Sequence, residues 1–533
     1  MAKISVDGTE VEVQDGINVI EAAKAAGVHV PHFCYHPALS IVGQCRMCLV
    51  EIEGMPKLQA GCATSIKDGM KLHVYNEKVD KARKGQMEFL LINHPLDCPI
   101  CDKAGECPLQ DYSFNYGSVT SRYGEAKRVY PGMDRTSIGP HVIQNMNRCI
   151  HCTRCIRFTD EITGTGELAF FKRGAATEVA VFPGRPLDNW MSACVTDICP
   201  TGALTTREFR FESRVWNLDA TESVCNGCDV GCNIFIEHRS GKIYRYKPRV
   251  NPEVNDFWLC DYGRFSHERY EVDRMVVPKV RRDDWLGVAT WDEALDEIEA
   301  RLRGVSGEKV AAIASAQMTN EEAYLFKRIF LDHFGSPNVD AVVEPIGPIP
   351  MKTRTDWIEG TQAGPNLRGL QGVGIEGNGK SAEALMTRGA TGIDVLYIAD
   401  ASFSPRVDDP EVVANLRKAG FLIVHAWEPN ALTEVADVVL PSAIFAEKSG
   451  TWTNLQGRVQ KIFQAYPPKG EAAEDLEILR RVGARVVGGE GFDVPAETIF
   501  HHMRNDIPAF QQLQWNELEG YGTMSGSERD ATT

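Results

Sequence analysis

The sequence predicts a multidomain α/β chain: an N-terminal β-grasp module, small cysteine-bearing modules in series, then a doubly wound α/β domain. Three observations carry this reading. The 533 residues suffice for several domains at roughly 100–200 residues each. All sixteen cysteines lie between Cys34 and Cys260. Strands alternating with helices begin where the cysteines end, the pattern of a mostly parallel sheet.

The opening KISVDGTEVEV alternates apolar and polar residues around Asp7-Gly8, as a β-hairpin does. INVIEAAKAAG follows, with Val19, Ile20, Ala23 and Ala26 at helical spacing and Gly27 placed to cap the C-terminus. Hairpin, helix and a cysteine-bearing loop together suggest a small β-grasp ferredoxin. From about residue 78, EKVDKARKGQMEFLLINH reads as an amphipathic helix. A loop-rich stretch around 130–145, with Pro131, Gly132, Gly139 and Pro140, separates it from the next cysteines.

Beyond Cys260, MVVPKVRRDDW reads as a linker. Thr290 and Glu293 form a capping box ahead of Ala294, Leu295, Ile298 and Leu302; the strand KVAAIAS then precedes a second box at Thr319 and Glu322. IDVLYIAD, the helix DPEVVANLRKAG with Pro410 in its first turn, and FLIVHAW continue the alternation. The tail from Tyr521 is expected to fray. The expected divisions are therefore 1–77 (β-grasp), 78–145, 146–216 and 217–275 (cysteine modules) and 276–533 (α/β).

A formal net charge of -16 and a pI near 5.4 argue against nucleic acid as a partner. MAKISVDGTEVEV lacks the regions of a secretory signal, and no run of about 18 uncharged apolar residues is present. A cytoplasmic chain is expected, attached to a membrane only through another subunit. In that reducing compartment the cysteines are metal ligands more readily than disulfides.

The cysteines fall into four sets. Cys34, Cys45, Cys48 and Cys62 have β-grasp spacing, with Gly43 and Gly61 letting the backbone fold close, and favour [2Fe–2S]. Cys149, Cys152 and Cys155 form a tight C-x2-C-x2-C loop whose distant C-P partner is Cys199-Pro200. Cys225, Cys228 and Cys232 with Cys260 make another tetrad. Zinc is the alternative for any isolated CxxC pair; several spaced triplets plus a C-P favour [4Fe–4S] clusters.

The last triplet, Cys98, Cys101 and Cys107 in NHPLDCPICDKAGECPLQ, lacks a fourth thiol. The spare Cys194 sits in SACVTDICP, where a lone thiol reads as a core residue. His94 is the local candidate, since imidazole replaces thiolate on iron in Rieske centres. Its alternative role, satisfying a helix C-terminal carbonyl, would prevail for an isolated histidine. A site missing one ligand reverses that choice. His32, His36 and His151 lie beside complete sets and read as structural.

Taken in order, a four-cysteine [2Fe–2S] site, a one-histidine, three-cysteine site and two further four-cysteine sites precede the α/β region. This series resembles the large iron–sulfur subunits of respiratory complex I, the G-type subunits of NADH-quinone oxidoreductase, and ADVVLPSAIFAEKSGTWTNLQGRVQ at 436–460 is similar to that family's C-terminal region. The resemblance covers essentially the whole chain. It implies one [2Fe–2S] and three [4Fe–4S] clusters, a molybdopterin-oxidoreductase-like final domain without molybdopterin, and no substrate chemistry on this chain. It also implies an FMN- and NADH-binding partner upstream, further iron–sulfur subunits and quinone downstream, and a place on the cytoplasmic face of the inner membrane.

Two rivals and one decoy remain. Molybdenum-dependent formate dehydrogenases share the cluster-bearing front half, but they resemble one another in a downstream Cys or selenocysteine on the metal. Here no cysteine follows Cys260, and Tyr262 stands where a basic residue is usual. A diaphorase module of a soluble hydrogenase would stop near the third cluster. GIEGNGKS at 374–381 matches a phosphate loop, but no strand is expected before it, so nucleotide binding is not expected there.

Overall fold

The computed structural model describes residues 1–376, 380–402, 404–488, 491–492 and 494–525. It divides into two compact units, Met1–Leu218 and Asp219–Thr533.

The first unit opens with strands β1 (Ala2–Val6) and β2 (Thr9–Val13), paired antiparallel. Asp7 and Gly8 both adopt positive φ, 49° and 89°, as the two-residue turn demands. Helix α1 (Val19–Ala25) is capped by Asn18, whose side chain accepts from the Glu21 amide. It ends in a Schellman motif: Gly27, at φ 74°, donates to the Lys24 carbonyl and Val28 to that of Ala23. Strands β3 (Leu49–Ile52), β4 (Gln59–Ala60) and β5 (Lys71–His73) complete a sheet of order β2-β1-β5-β3-β4, with β1 and β5 parallel. Ile4, Val6, Val19, Ile20, Val50 and Leu72 form its core, and Cys48 and Cys62 belong to it.

Helix α2 (Glu77–Leu91) is capped by Asn76 and buries Val79, Arg83 and Met87, one stripe at four-residue spacing. Arg83 lies between the rings of Tyr75 and Tyr116, 5.5 Å from each centroid. Helix α3 (Pro108–Tyr116) starts with Pro108 at its first position. The stretch 130–145 is not wholly loop. It holds β6 (Thr136–Ser137) and β7 (Val142–Gln144), short because Gly139 and Pro140 interrupt them. After them come α4 (Arg154–Arg157), continued by a π-helical turn Phe158–Ile162, then β8 (Leu168–Phe171), β9 (Glu178–Val181), α5 (Cys194–Ile198) and β10 (Leu204–Thr206). β7 is the centre of a β10-β7-β6 sheet, and β8 pairs with β9.

The second unit begins with an antiparallel meander, β11 (Asp219–Val224), β12 (Asn233–Arg239) and β13 (Lys242–Pro248), followed by the short helix α6 (Asp261–Arg264). The expected linker at 275–285 is instead sheet: β14 (Lys279–Arg282) and β15 (Trp285–Val288) form a hairpin. β14 is drawn into the main sheet by antiparallel pairing with a strand some 160 residues later, Val280 opposite Val438.

Then come α7 (Trp291–Leu302), β16 (Val310–Ser315), α8 (Asn320–Lys327) and β17 (Asn338–Val342), with both expected capping boxes formed at Thr290/Glu293 and Thr319/Glu322. A two-stranded hairpin, β18 (Pro345–Lys352) and β19 (Trp357–Gln362), precedes α9 (Leu367–Gly372) and α10 (Lys380–Arg388). The chain continues through β20 (Val395–Ile398), α11 (Pro410–Leu416), β21 (Phe421–Ala426), α12 (Ala431–Val435) and β22 (Val438–Pro441). It closes with β23 (Gly450–Thr453), β24 (Arg458–Ile462), α13 (Asp475–Val486), α14 (Ala496–Asp506) and β25 (Thr523–Met524).

The main sheet has order β15-β14-β22-β21-β20-β16-β17, parallel from β22 to β17. The inner strands β22, β21, β20 and β16 are buried on both faces because both are covered. Ala312, Ala314 and Tyr397 face α7, α8 and α13, whereas Ala311, Ile313 and Leu396 face α10 and α11. A helix, α9, precedes the phosphate-loop look-alike, whose residues 377–379 lie outside the described residues, as does the tail beyond 525. Among the described residues no helix is long and apolar enough to cross a membrane.

Candidate iron–sulfur sites

In the first set, the loop after α1 carries Cys34, Cys45 and Cys48, and a 3₁₀ turn Gly61–Ala63 carries Cys62; all four are buried. The Cys34 amide donates to Cys45 Sγ at 3.5 Å. A thiol–thiol hydrogen bond holds Cys34 below the ordinary thiol range and Cys45 above it; the same relation holds Cys62 down and Cys48 up. Gly61 lies close against Cys48: its amide donates to Cys48 O at 2.9 Å, and a β-carbon would stand 3.0 Å from that oxygen, a tight contact. Gly43 contributes differently, through its φ of 61°.

In the second set, His94 lies just past α2, Cys98 on a 3₁₀ turn Cys98–Ile100, Cys101 in the next turn, and Cys107 at the N-cap of α3. His94 Nδ1 is buried without a hydrogen-bond partner. Burial first, then the charge of Arg148, holds its pKa down to about 4, so the ring is neutral at pH 7 and has a free lone pair to offer a metal. His32, His36 and His151 each have a backbone partner instead, at Val30 O (2.7 Å), the Ala38 amide (3.3 Å) and Thr177 O (3.0 Å). Burial raises the Cys101 thiol and pushes Cys107 up to about 11. Gly202, from a distant loop, leaves space for the Cys101 sulfur. Cys98 alone among the cysteines is exposed.

In the third set, Cys149, Cys152, Cys155 and Cys199 line one cavity of about 20 Å³. The tight loop takes left-handed backbone at His151 (φ 55°) and Thr153 (φ 64°), and the His151 amide donates to Cys149 Sγ at 3.3 Å. Burial, then the neighbouring Cys199, pushes Cys152 up to about 11. Cys194 is fully buried on α5, as a core residue should be.

In the fourth set, Cys225, Cys228 and Cys232 occupy the β11–β12 connection and Cys260 is the N-cap of α6. The Cys225 amide donates to Cys232 O at 2.7 Å; Gly227 and Gly263 amides donate to the sulfurs of Cys225 (3.4 Å) and Cys260 (3.3 Å). A β-carbon on Gly263 would lie 2.7 Å from Cys225 Sγ, and one on Gly360 2.8 Å from Cys228 Sγ. Burial drives Cys225 up to about 12 and Cys260 up to about 11. Buried, mutually crowded thiols of this kind are stabilised as thiolates by a cation. Among the described residues no three or more His, Cys, Asp or Glu side chains close around a single metal ion.

The crevice at the carboxyl ends of β16 and β20 is where an open α/β sheet binds ligands. Ser315, Val342, Asp400 and Val407 leave it a cavity of about 30 Å³, near the volume of one water, against roughly 300–1,000 Å³ for a cofactor pocket. Among the described residues, that cavity is far smaller than a pterin requires.

Sequence reasoning missed Gly202, Gly360, Arg154 and Arg157. The only local signal for the arginines is their position, two and five residues after Cys152.

Five family descriptions match the chain in order. They are the 2Fe-2S iron-sulfur cluster binding domain (1–77), the NADH-ubiquinone oxidoreductase-G iron-sulfur binding region (83–122) and the NADH-quinone oxidoreductase subunit 3, ferredoxin-like domain (139–205). The NADH-ubiquinone oxidoreductase NDSU1/NuoG-like, 4Fe-4S domain (218–268) and molybdopterin oxidoreductase (274–353 and 361–485) follow. The G-type subunit of NADH-quinone oxidoreductase from Rickettsia felis is 44% identical over 338 residues, 63% of this chain and 50% of that protein. The aligned part thus spans half of that relative. Its counterpart from Rickettsia conorii is 33% identical over 599 aligned positions, 92% of this chain and 89% of the other. A solved NAD+-reducing [NiFe]-hydrogenase in the H2-reduced state aligns with 40% of this chain and 91% of its own at 28% identity and a TM-score of 0.36.

A β-grasp 2Fe–2S module followed by 4Fe–4S modules defines an iron–sulfur electron-transfer protein. The chain belongs to the family of G-type NADH-quinone oxidoreductase subunits, the iron–sulfur subunits of NADH:quinone oxidoreductase, and the formate-dehydrogenase alternative is not favoured.

Proposed function

We propose that this chain carries electrons from an FMN- and NADH-binding partner toward further iron–sulfur subunits and quinone, making no bonds itself. The observation that supports this best is one apolar core shared by ligands of three sets: Cys34 and Cys45, Cys107, and Cys152, packed with Phe33, Met47, Met87 and Leu109. Such packing keeps water out and fixes the sites at short range.

In this reading Cys34, Cys45, Cys48 and Cys62 hold a [2Fe–2S] cluster. Three [4Fe–4S] clusters are held by His94 with Cys98, Cys101 and Cys107; by Cys149, Cys152, Cys155 and Cys199; and by Cys225, Cys228, Cys232 and Cys260. The clusters supply reversible one-electron chemistry. The protein sets burial, sulfur hydrogen bonds and local charge. The modules are divided at 77, 145, 216 and 275. Exposed Cys98, with Leu96 and Ile100 exposed beside it, offers an apolar surface for a partner subunit. Attachment to the cytoplasmic face of the inner membrane is through the complex.

Metal analysis with low-temperature EPR tests the assignment. It expects about 14 iron atoms per chain with zinc and molybdenum substoichiometric. One molybdenum per chain, reproducibly recovered, would reverse the reading.

A further inference from the structure

Helix α4 follows Cys152 directly and carries Cys155, and its two arginines reach backward to the first cysteine set. Arg157 Nη2 donates to Cys34 O at 2.5 Å and, more weakly, to Cys152 O at 3.4 Å. Its Nη1 donates to Ser40 O and its Nε to Thr153 Oγ1 at 3.1 Å. Arg154 donates through Nη2 to Tyr35 O and through Nη1 to Ile198 O at 3.1 Å. Glu161 holds the same Ser40 from the other side, accepting from its amide at 2.8 Å and its hydroxyl at 2.5 Å. Two loops more than 110 residues apart in sequence are thus tied by one helix turn.

The charges are as informative as the bonds. Arg157 is buried and Arg154 half-buried, and neither has an ion-pair partner among the described residues. Every backbone acceptor except Ser40 is a cysteine of the two sets or its immediate neighbour. Cys152, Cys199 and Cys34, from both sets, act electrostatically on Arg154, and Arg157 acts on Cys34 and Cys152. Buried cations are ordinarily paired; these two instead lie against the cysteine loops of two sets.

We propose that Arg157, with Arg154 beside it, is a positioning residue that fixes the Cys34 loop against the Cys152 loop and raises the reduction potentials of both sites. The inference rests on the iron–sulfur assignment above. Each site gains one negative charge when it accepts an electron, and a permanent cation in a low-dielectric setting favours that form. Because the cation is shared, it raises both potentials, and transfer between the two sites still moves one electron out of one and into the other. Lysine would keep the charge but not the planar fork that spans carbonyls of both loops.

The test is an equilibrium redox titration followed by low-temperature EPR, on the assembled complex carrying R157K, R157Q or R154Q, with iron content measured in each. R157Q is expected to retain iron and lower both midpoint potentials, and R157K to bring them back toward the unsubstituted values. Unshifted potentials in R157Q at full iron content, or an equal shift in R157K, would overturn the proposal. Should R157Q not assemble, R154Q decides: a lowered potential at either site supports the shared cation, and none overturns it. If the unsubstituted complex lacks these two EPR signals, it is the cluster assignment that fails, not the role of the arginines.

Discussion

Gly202 stands against Cys101 so closely that a β-carbon on it would lie 2.2 Å from the Cys101 sulfur and 3.3 Å from Lys103 Cβ. Such separations are far inside van der Waals contact, and Cys101 is buried with little room to yield. The glycine therefore shapes the proposed second site without being one of its candidate ligands. Gly202→Ala should displace Cys101 and cost about 1–3 kcal/mol through overpacking. Iron should fall by roughly one cluster's complement of about four atoms, with loss of a single EPR signal. Full iron and an unchanged spectrum would show that the loop moves aside.

In the proposed second site His94 would offer a neutral imidazole where each of the other three sets has a fourth cysteine. His94→Cys should keep a [4Fe–4S] cluster but lower its potential, because an added anion stabilises the oxidised state. Redox titration of the variant checks this. An unaltered signal and potential would remove His94 from the ligands.

His267 predicts a pH effect in the second unit. Burial holds its pKa down to about 4; its ring packs edge-on to Tyr246, and Nδ1 has no partner. Between about pH 4 and the unfolded value near 6.5, the unfolded chain binds a proton the folded one does not. Stability is therefore present in full above about 6.5 and is lost as the pH falls toward 4, by up to about 3 kcal/mol. His267→Gln should melt with a smaller difference between pH 7.5 and pH 5 than the parent. Equal differences in the two proteins would refute the assignment.

How much of this was legible depended on range. Asp7-Gly8, the Thr290/Glu293 and Thr319/Glu322 boxes and Pro410 act within four residues, so local chemistry sufficed to place them. Cysteine spacing was legible because a cluster imposes it on the chain. Long-range partners were not. Val280 reads as linker until Val438 arrives to pair with it, and nothing near Arg157 announces Cys34. Arg83 shows a second limit: it fits the polar face of an amphipathic helix, yet two tyrosine rings enclose it.

The loop holding Cys225, Cys228 and Cys232 is knitted into its own unit by more than its sulfurs. Asp229 donates its amide to Gln362 O at 3.0 Å and accepts the Thr361 amide at 3.0 Å on its carboxylate. Asn454 Nδ2 donates to Val230 O at 3.1 Å, and Gln460 Nε2 to Gly231 O at 3.0 Å. Three cysteines lie on the β11–β12 connection and the fourth, Cys260, caps α6, while Gly360 of β19 packs on Cys228. A metal cluster at such a junction contributes directly to folding. The cavity described beyond β16 and β20 is about 30 Å³, far below the size of a pterin pocket, so the cluster proposed here is expected to serve no pterin there. Cys152 differs, standing in the apolar core that also holds Cys34, Cys45 and Cys107. Cys228→Ser should therefore lower subunit stability or assembly far more than turnover per assembled complex, whereas Cys152→Ser should cripple turnover itself. The measurement is NADH-to-quinone turnover normalised to intact complex for both variants; equal loss in the two with assembly intact would put the Cys228 cluster on the electron route.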